Sequence, residues 1–242
     1  MSNNEEINCG VAAILVAGGS AARFGRGSSP IPKQFELIGD LPMYQYVART
    51  FSRIESVRKI ILVGRDEDVQ QMEAGTQKLN LPIECKVVSG GETRQESVSN
   101  GLDAIRKLSG IEIILVHDVA RALVDEEVIL RVIAAICDHG SAIAGVEVVD
   151  TLKRVIEGEI TGTISRENLW RAQTPQGAKA ELMFAAFDAA GKSGFQGTDE
   201  SQLLERIGVP PRIVPGSDRN FKITYQSDLE RARNEVSRSK QK

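Results

Sequence analysis

The sequence predicts an α/β fold in which helices flank a mostly parallel central sheet. Short β-branched runs alternate with longer amphipathic segments through most of the chain, which is typical of strands covered by helices. With 41% hydrophobic and 26% charged residues the composition is that of an ordinary globular protein. At 242 residues the chain fits a single domain, residues 1–242, better than two.

Four strand–helix pairs follow one another along the chain. In each, a run rich in Val and Ile precedes an amphipathic segment of helical length. The predicted pairs are Val11–Val16 with Met43–Arg53, Lys59–Gly64 with Asp66–Lys78, Glu84–Val88 with Glu96–Leu108, and Ile113–His117 with Glu126–His139. Ligands of such open sheets bind beyond the carboxyl ends of the strands. Function is therefore expected in the loops that follow Val16, Val88 and His117.

The pattern changes after a predicted strand at Ser141–Val148. Residues 149–171 are predicted to be extended around a Glu157–Gly158 turn, with little apolar material of their own. Such an arm cannot make a core alone, so we expect it to protrude and to pack on something else, for instance a second subunit. Three helices, at Lys179–Ala190, Ser201–Ile207 and Ser227–Val236, and a short strand in NFKIT, residues 220–224, are predicted beyond it.

Charge, cysteine content and missing motifs exclude several functional classes. A net charge of −3 does not favour nucleic acid or an anionic membrane as a partner. Three distant cysteines without Cys-x-x-Cys spacing, and only two histidines, argue against a zinc site and for a reducing compartment. The acidic start, MSNNEEIN, is unlike a signal peptide, and no apolar run has membrane-spanning length. We therefore expect a cytoplasmic protein.

The stretch Ala12–Phe35 has the composition of a polyphosphate-binding loop. Gly18 and Gly19 follow a buried strand and let backbone N–H groups approach phosphate oxygens. Arg23 and Lys33 then supply positive charge. A tight strand–helix turn followed by solvated basic residues accounts for the same pattern, so both interpretations stay open.

Two further loops carry polar residues directly after predicted strands. In SGGETRQESV, Gly91 permits a close backbone approach and Ser97 lies in the first turns of a helix, so the loop can hold a base or ribose. A plain turn with a helix cap has the same pattern. In HDVAR, Asp118 suits Mg²⁺ and Arg121 can clamp a phosphate, with a structural Asp–Arg pair as the alternative. His117 is expected to be a core or loop histidine rather than a catalytic base.

The arm and the C-terminal region contribute further polar side chains. Thr151 and Arg166 belong to a mostly cationic cluster that a solvated face explains equally well. Lys222 lies between Phe221 and Ile223, and strand alternation places it on the opposite face from both. That position is compatible with a lysine that only reaches solvent.

Seven segments taken together resemble one enzyme family. In chain order they are AGGSAARFG…PKQF, GGETRQESV, VHDVAR, DTLKR, RENLWRAQTPQG, TDES and NFKIT. They span about residues 11–224 and resemble the 2-C-methyl-D-erythritol 4-phosphate cytidylyltransferases of the non-mevalonate isoprenoid pathway. The resemblance implies a Rossmann-like nucleotidyltransferase fold, CTP and methylerythritol phosphate as substrates, and Mg²⁺ as cofactor. It also implies a homodimer in which the arm, residues 149–171, embraces the other subunit.

The resemblance also implies roles for individual residues. Expected to be catalytic are Arg23, Lys33 and Lys222; expected to bind the nucleotide are Ala17, Gly18, Gly19, Gly91, Ser97 and Asp118. Asp118 is the expected metal ligand, and the expected substrate ligands are Thr151, Arg166 and Arg121. The chain departs from the family pattern at Ala21, Glu92 and Ala122 and in the insertion GRGSSPI.

The implied reaction is attack by a phosphate monoester oxygen on the α-phosphorus of CTP, with release of pyrophosphate. One alternative is a ribitol 5-phosphate cytidylyltransferase, which shares the CTP chemistry and differs in its acceptor. Another is a non-catalytic nucleotide-binding module on the same fold. The segments HDVAR and DTLKR favour methylerythritol phosphate. Lys33 and Lys222 favour catalysis, because binding alone does not need a cation at the α-phosphate.

Overall fold

A central β-sheet flanked by helices organises the part of the chain that the computed structural model describes, residues 9–18 and 31–239. The strands are β1 (Val11–Val16), β2 (Leu37–Ile38), β3 (Leu41–Pro42), β4 (Val57–Gly64), β5 (Glu84–Ser89), β6 (Ile113–Asp118), β7 (Ser141–Glu147), β8 (Leu152–Ile156), β9 (Glu159–Ile164), β10 (Trp170–Lys179) and β11 (Arg212–Pro215). The helices are α1 (Met43–Phe51), α2 (Val69–Lys78), α3 (Arg94–Ile105), α4 (Glu126–His139), α5 (Ala180–Ser193), α6 (Glu200–Arg206) and α7 (Gln226–Ser239).

Seven strands form the central sheet in the order β11-β7-β10-β6-β1-β4-β5. Strand β1 pairs in parallel with β4 and β6, and β4 pairs in parallel with β5. Only β10 runs antiparallel to its two neighbours, β6 and β7. The predicted α/β fold with a mostly parallel sheet is therefore confirmed. Parallel neighbours end at the same edge of the sheet, so the loops after β1, β4, β5 and β6 meet there.

Helices bury both faces of the sheet, and β1 shows why its sequence is apolar throughout. Ala13 and Leu15 pack into the core formed with α1, α4 and α7. Ala12 and Ile14 pack into the opposite core, formed with α3, α5 and α6. A strand that is buried on both faces needs an apolar side chain at every position. Ala17 still belongs to the first of these cores, and the chain becomes partly exposed at Gly18.

The predicted strand in NFKIT is absent, because residues 221–224 form an irregular connection that leads into α7. The N–H of Ile223 donates to the carbonyl of Ala120 at 2.8 Å rather than to a neighbouring strand. Four strands, β2, β3, β10 and β11, were not predicted. Strand β10 (WRAQTPQGAK) is poor in β-branched residues, and its place in the sheet depends on pairing with distant strands.

The predicted arm contains a hairpin formed by β8 and β9. Its turn lies where the sequence predicts it, with Glu157 at φ 50° and Gly158 at φ 89°. Positive φ at both central residues is the conformation of a type I′ hairpin turn. Val155, Ile156 and Ile160 are more than half exposed on this hairpin. The described part of the chain thus leaves an apolar surface uncovered on the arm.

Candidate active site

A cleft of about 760 Å³ lies beyond the carboxyl ends of β1, β4, β5 and β6. Its walls come from the residues that follow these strands, from the start of α3, from Lys33 and from the connection before α7. This is the edge of the sheet where the sequence predicts function. The described residues therefore bring the predicted loops together around one site.

Seven of the residues predicted to act in the site line this cleft: Ala17, Gly18, Lys33, Gly91, Ser97, Asp118 and Lys222. Thr151, Arg166 and Arg121 are not among the described residues that line it. Gly19 and Arg23 lie outside the described residues, as do Ala21 and residues 25–30 of the insertion. Their predicted roles remain predictions.

The end of β1 opens directly into the cleft. The N–H of Ala17 donates to the carbonyl of Val63 at 2.7 Å and extends the strand pairing by one residue. A Cβ atom on Gly18 would lie 3.6 Å from its nearest neighbours, an ordinary contact. Packing therefore does not require glycine at this position. From the far side of the cleft, Lys33 Nζ donates to the carbonyl of Ile223 at 3.1 Å, next to Lys222.

The loop between β5 and α3 is shaped by its own helix cap. The Thr93 hydroxyl accepts from the Glu96 N–H at 3.1 Å, and the Glu96 carboxylate accepts from the Thr93 N–H at 3.2 Å. Ser97 Oγ accepts from the Gly91 N–H at 3.1 Å. A Cβ atom on Gly91 would lie 2.4 Å from Glu96 Cβ, so this turn needs glycine. The structure thus shows the capping role of the loop, while its contact with a nucleotide stays a prediction.

Asp118, at the end of β6, is the electrostatic centre of the cleft. Its Oδ2 accepts from Lys222 Nζ at 2.7 Å and its Oδ1 from Arg94 Nε at 3.0 Å. Burial alone would raise the pKa of Asp118, but Arg94 and Lys222 outweigh that effect and hold the pKa well below its usual range. Asp118 is therefore ionised. These two ion pairs also connect segments of the cleft that are far apart in the chain.

Arg94 was missed as a site residue, although it stands inside the GGETRQESV motif. It is the first residue of α3, where the helix dipole disfavours a cation. An arginine at the start of a predicted helix is the feature of the sequence that could have identified it, because such a cation needs carboxylates from other parts of the chain to compensate it. Its NH1 and NH2 donate to Glu200 at 2.7 and 3.0 Å. Burial alone would lower the pKa of the Arg94 guanidinium, but the negative charges of Glu200 and Asp118 raise it by more. The net pKa is above its ordinary value, so the guanidinium stays charged.

Arg121 does not form the ion pair with Asp118 that the structural alternative predicted, and its role as a phosphate clamp stays a prediction. Its guanidinium donates to the carbonyls of Asn220 at 2.9 Å and of Ala172 at 3.2 Å. The reason is the tight turn after β6, in which the Arg121 N–H donates to the carbonyl of Asp118 at 2.9 Å. The side chain consequently supports the segment that carries Lys222. Burial lowers the pKa of Arg121.

His117 is a satisfied core histidine, as expected. Thr174 Oγ1 accepts the N–H of Asp118 at 3.0 Å, so its own hydrogen is available to His117 Nδ1, also at 3.0 Å. Nε2 is then the protonated nitrogen and donates to the carbonyl of Arg121 at 3.2 Å. Burial lowers the pKa of His117 to about 4, against the attraction of Asp118, which raises it. The imidazole is neutral at physiological pH.

Asp118 is a single carboxylate that could hold a divalent cation together with substrate oxygens. The described residues contain no group of three or more His, Cys, Asp or Glu side chains that could hold a metal alone. Asp118 offers one carboxylate, and Mg²⁺ commonly uses one or two protein carboxylates with substrate phosphates. Each of its oxygens accepts one charged hydrogen bond, and a carboxylate has about four lone-pair sites. Asp118 therefore keeps capacity for a metal ligand bond.

Residues 11–238 match the family model described as "IspD: 2-C-methyl-D-erythritol 4-phosphate cytidylyltransferase". A relative with that enzyme name from Acidobacterium capsulatum is 39% identical over 225 residues, which cover 90% of this chain and 94% of the relative. A "Bifunctional enzyme IspD/IspF" from Desulfotalea psychrophila is 40% identical over 223 residues, covering 92% of this chain and 56% of that protein.

Solved structures agree with the sequence comparison. The crystal structure of 4-diphosphocytidyl-2C-methyl-D-erythritol synthase from Anaerococcus prevotii has a TM-score of 0.80 at 27% identity, covering 95% of this chain and 97% of that one. The 2-C-methyl-D-erythritol 4-phosphate cytidylyltransferase from Thermus thermophilus has a TM-score of 0.75 at 27% identity, covering 94% and 99%. In the described part of the chain, no helix combines the length and the apolar character needed to cross a membrane.

Acidification is expected to destabilise the fold through His117. The imidazole has a pKa of about 6.5 when unfolded and about 4 when folded, so the unfolded state binds more protons between these values. The stability gained from the neutral ring is complete above about pH 6.5 and is lost as pH falls towards about 4, a change of about 3 kcal/mol. Denaturant unfolding across this range in metal-free buffer measures the change.

His117→Gln is the matched control, because it removes the titrating group and keeps a polar side chain in the same place. Its free energy of unfolding should be lower near neutral pH and should fall less on acidification. The difference between the two proteins isolates His117 from carboxylates that titrate in both. Parallel curves for the two proteins would contradict the assignment.

Proposed function

Because the chain belongs to the 2-C-methyl-D-erythritol 4-phosphate cytidylyltransferase family, it is a nucleotidyltransferase that forms 4-diphosphocytidyl-2-C-methyl-D-erythritol from CTP, and we propose that the cleft around Asp118 carries out this transfer. The reaction serves isoprenoid precursor synthesis. The observation that carries the proposal is the ion pair between Lys222 and Asp118, which are 104 residues apart and meet in the cleft at 2.7 Å. The family match favours this acceptor over ribitol 5-phosphate.

The chemistry requires charge control more than proton transfer. The second pKa of a phosphate monoester is about 6, so the attacking oxygen is already mostly deprotonated at neutral pH. The neutral, buried His117 is therefore not needed as a base. Repulsion between the two phosphorylated substrates is the main obstacle, at roughly 4 kcal/mol per pair of unit charges about 4 Å apart near a protein surface. Cations and positioning must overcome it.

Lys222 is the cation we assign to the α-phosphate. Its side chain is 44% exposed and lines the cleft, although one N–H bond is directed at Asp118. An ammonium group has three donors, so Lys222 can keep Asp118 and still donate to phosphate oxygens. Lys33 stands beside it through the carbonyl of Ile223 and is assigned to the triphosphate. Arg23 and the backbone of Gly18 and Gly19 complete the proposed triphosphate site.

Asp118 is assigned as the ligand of Mg²⁺, with the remaining ligands coming from substrate and water. When bound, the ion would neutralise charge on the phosphate oxygens. Gly91 and Ser97, which form the wall between β5 and α3, are assigned to the cytidine. Ala17 is assigned, with Gly18, to the part of the cleft that binds the triphosphate.

The acceptor phosphate is assigned to the arm of a second subunit in a homodimer. Thr151 and Arg166 are exposed, and the described residues that line the cleft of the same chain do not include them. The Arg166 guanidinium contacts the carbonyl of Val149 within the arm. The uncovered apolar side chains of the hairpin support pairing with another chain. In such a dimer each arm, residues 149–171, would bring Thr151 and Arg166 to the cleft of the neighbouring subunit. Arg121 would support the segment next to the acceptor phosphate.

A cytoplasmic location is part of the proposal. Its support is the cysteine content, since the three cysteines are odd in number, far apart in the sequence and without Cys-x-x-Cys spacing. The sulfur atoms of Cys9 and Cys137 lie 3.7 Å apart, and we expect both to be thiols in the cell. Neighbouring thiols persist in a reducing compartment.

The purified protein is expected to release pyrophosphate from CTP only when 2-C-methyl-D-erythritol 4-phosphate is present. A coupled assay for pyrophosphate, run with methylerythritol phosphate, with ribitol 5-phosphate and with no acceptor, measures this. Release with ribitol 5-phosphate alone would overturn the assignment of the acceptor. No release with any acceptor would favour a nucleotide-binding module.

Lys222→Met is expected to lower kcat by about 100-fold or more, because it removes the cation that meets charge developing at the α-phosphate. Steady-state kinetics at saturating CTP and acceptor measures the loss. Lys107→Met is the matched control, since Lys107 is exposed and remote from the cleft lining, and its kcat should match the wild type. Near-normal turnover by Lys222→Met would remove Lys222 from the mechanism.

The shared site predicts activity from a mixture of two inactive variants. Lys33→Ala damages the cleft and Arg166→Ala damages the arm, so a hybrid dimer contains one intact cleft served by one intact arm. An equal mixture should recover about a quarter of the wild-type activity after random subunit exchange. Pyrophosphate release after mixing measures the recovery, and native mass spectrometry confirms the exchange.

A mixture of Lys33→Ala with Lys222→Met is the control, because both changes lie in the same cleft. Hybrid dimers of this pair contain no intact site and should stay inactive. Exchange without recovery in the first mixture, or equal recovery in both, would count against a site shared between subunits.

A further inference from the structure

Glu200 is a buried carboxylate to which the mechanism above gives no role. Its residue is only 1% exposed, and it does not belong to the described residues that line the cleft. It lies in the first turn of α6, where the helix dipole favours an acid. The dipole alone does not explain its burial, because an exposed acid would serve a helix end equally well.

Glu200 is linked to the reacting end of the cleft through a single guanidinium. It accepts NH1 and NH2 of Arg94 at 2.7 and 3.0 Å. The third nitrogen, Nε, donates to Asp118 Oδ1 at 3.0 Å, and Asp118 Oδ2 accepts from Lys222 at 2.7 Å. Glu200, Arg94, Asp118 and Lys222 thus form one unbroken chain of charged hydrogen bonds. Bidentate pairing fixes the plane of a guanidinium as well as its position.

The sheet holds Glu200 in register with Asp118. Gln176 of β10 binds the start of α6 with its side-chain amide. Its Oε1 accepts from the Ser201 N–H at 3.0 Å, and its Nε2 donates to Asp199 Oδ2 at 3.0 Å. The same Gln176 is paired with Val116 of β6, two residues before Asp118. Strand β10 therefore fixes the position of Glu200 relative to Asp118.

Charge balance shows what Glu200 contributes. The chain of hydrogen bonds contains two carboxylates and two cations, so its formal charge is zero. Without the charge of Glu200, Arg94 would have Asp118 as its remaining carboxylate partner and would compete with Lys222 for both Asp118 oxygens. Lys222 would then lose the contact that sets its position.

We propose that Glu200 is a positioning residue of the transfer reaction: through Arg94 it orients the Asp118 carboxylate, and Asp118 in turn places Lys222 at the α-phosphate. The inference deepens the proposed function and rests on it. Glu200 itself touches neither substrate. Its loss is therefore expected to change turnover rather than substrate binding.

Glu200→Gln tests the proposal with a side chain of the same shape. The kcat is expected to fall by about tenfold or more, as for other residues that orient a ligand from behind. The KM values for CTP and methylerythritol phosphate should stay near those of the wild type. Wild-type kcat in the folded variant would overturn the inference. A wild type without pyrophosphate release would instead overturn the proposed function, so the two failures are distinguishable.

A double-mutant cycle tests whether Glu200 acts through Arg94. If it does, Glu200→Gln should cause no further loss of kcat in an Arg94→Gln background. Losses that multiply would show that the two residues act independently and would overturn the proposed linkage. Should Glu200→Gln fail to fold, Glu200→Asp replaces it. That variant keeps the charge, but its shorter reach shifts the Arg94 guanidinium relative to Asp118. A smaller loss of kcat at unchanged KM is expected, and wild-type kcat would overturn the inference.

Gln95→Ala is the matched control for a merely structural tether. Gln95 joins the same two parts of the chain as Arg94, because it donates to the carbonyl of Phe195 at 3.0 Å and accepts the N–H of Gly197 at 2.8 Å. It carries no charge and does not line the cleft. Gln95→Ala should lower the melting temperature and keep the wild-type kcat. A loss of kcat equal to that of Glu200→Gln would overturn the inference.

Discussion

The ionised carboxylate of Asp118 is the constraint on which the site depends. A buried charge costs several kcal/mol unless partners compensate it, and here the partners are Arg94 and Lys222. They come from the start of α3 and from the connection before α7, so the ion pairs form only when both segments have met the end of β6. The charged groups to which we assign the reaction therefore also hold distant parts of the chain together.

The segment that carries Lys222 shows how an irregular backbone is held as firmly as a strand. Asn220 is fully buried and donates to the carbonyl of Thr174 at 2.7 Å. Arg121 supports the carbonyl of Asn220, and the Ile223 N–H is paired with Ala120. These bonds take the place of the regular pairing of a sheet and fix the segment from which Lys222 reaches the cleft.

Local patterns predicted most of the fold, and long-range pairing accounts for what they missed. The helix Glu126–His139 was predicted to the residue because its apolar positions recur with a helical period and Gly140 ends it in a left-handed conformation. Strand β10 lacks a comparable pattern, since its neighbours β6 and β7 determine it. In the site, Asp118 and Lys222 were predicted from motifs, whereas Arg94 and Glu200 become meaningful only when α3 and α6 are seen to meet.

The hairpin of the arm has a consequence for how such an enzyme changes over generations. Its strands β8 and β9 form a sheet of their own, separate from the seven-stranded sheet that carries the cleft. None of its residues is among the described residues that line the cleft or form the two cores. If the arm selects the acceptor, substitutions in the arm can change which sugar phosphate is used while the residues that bind the nucleotide stay the same.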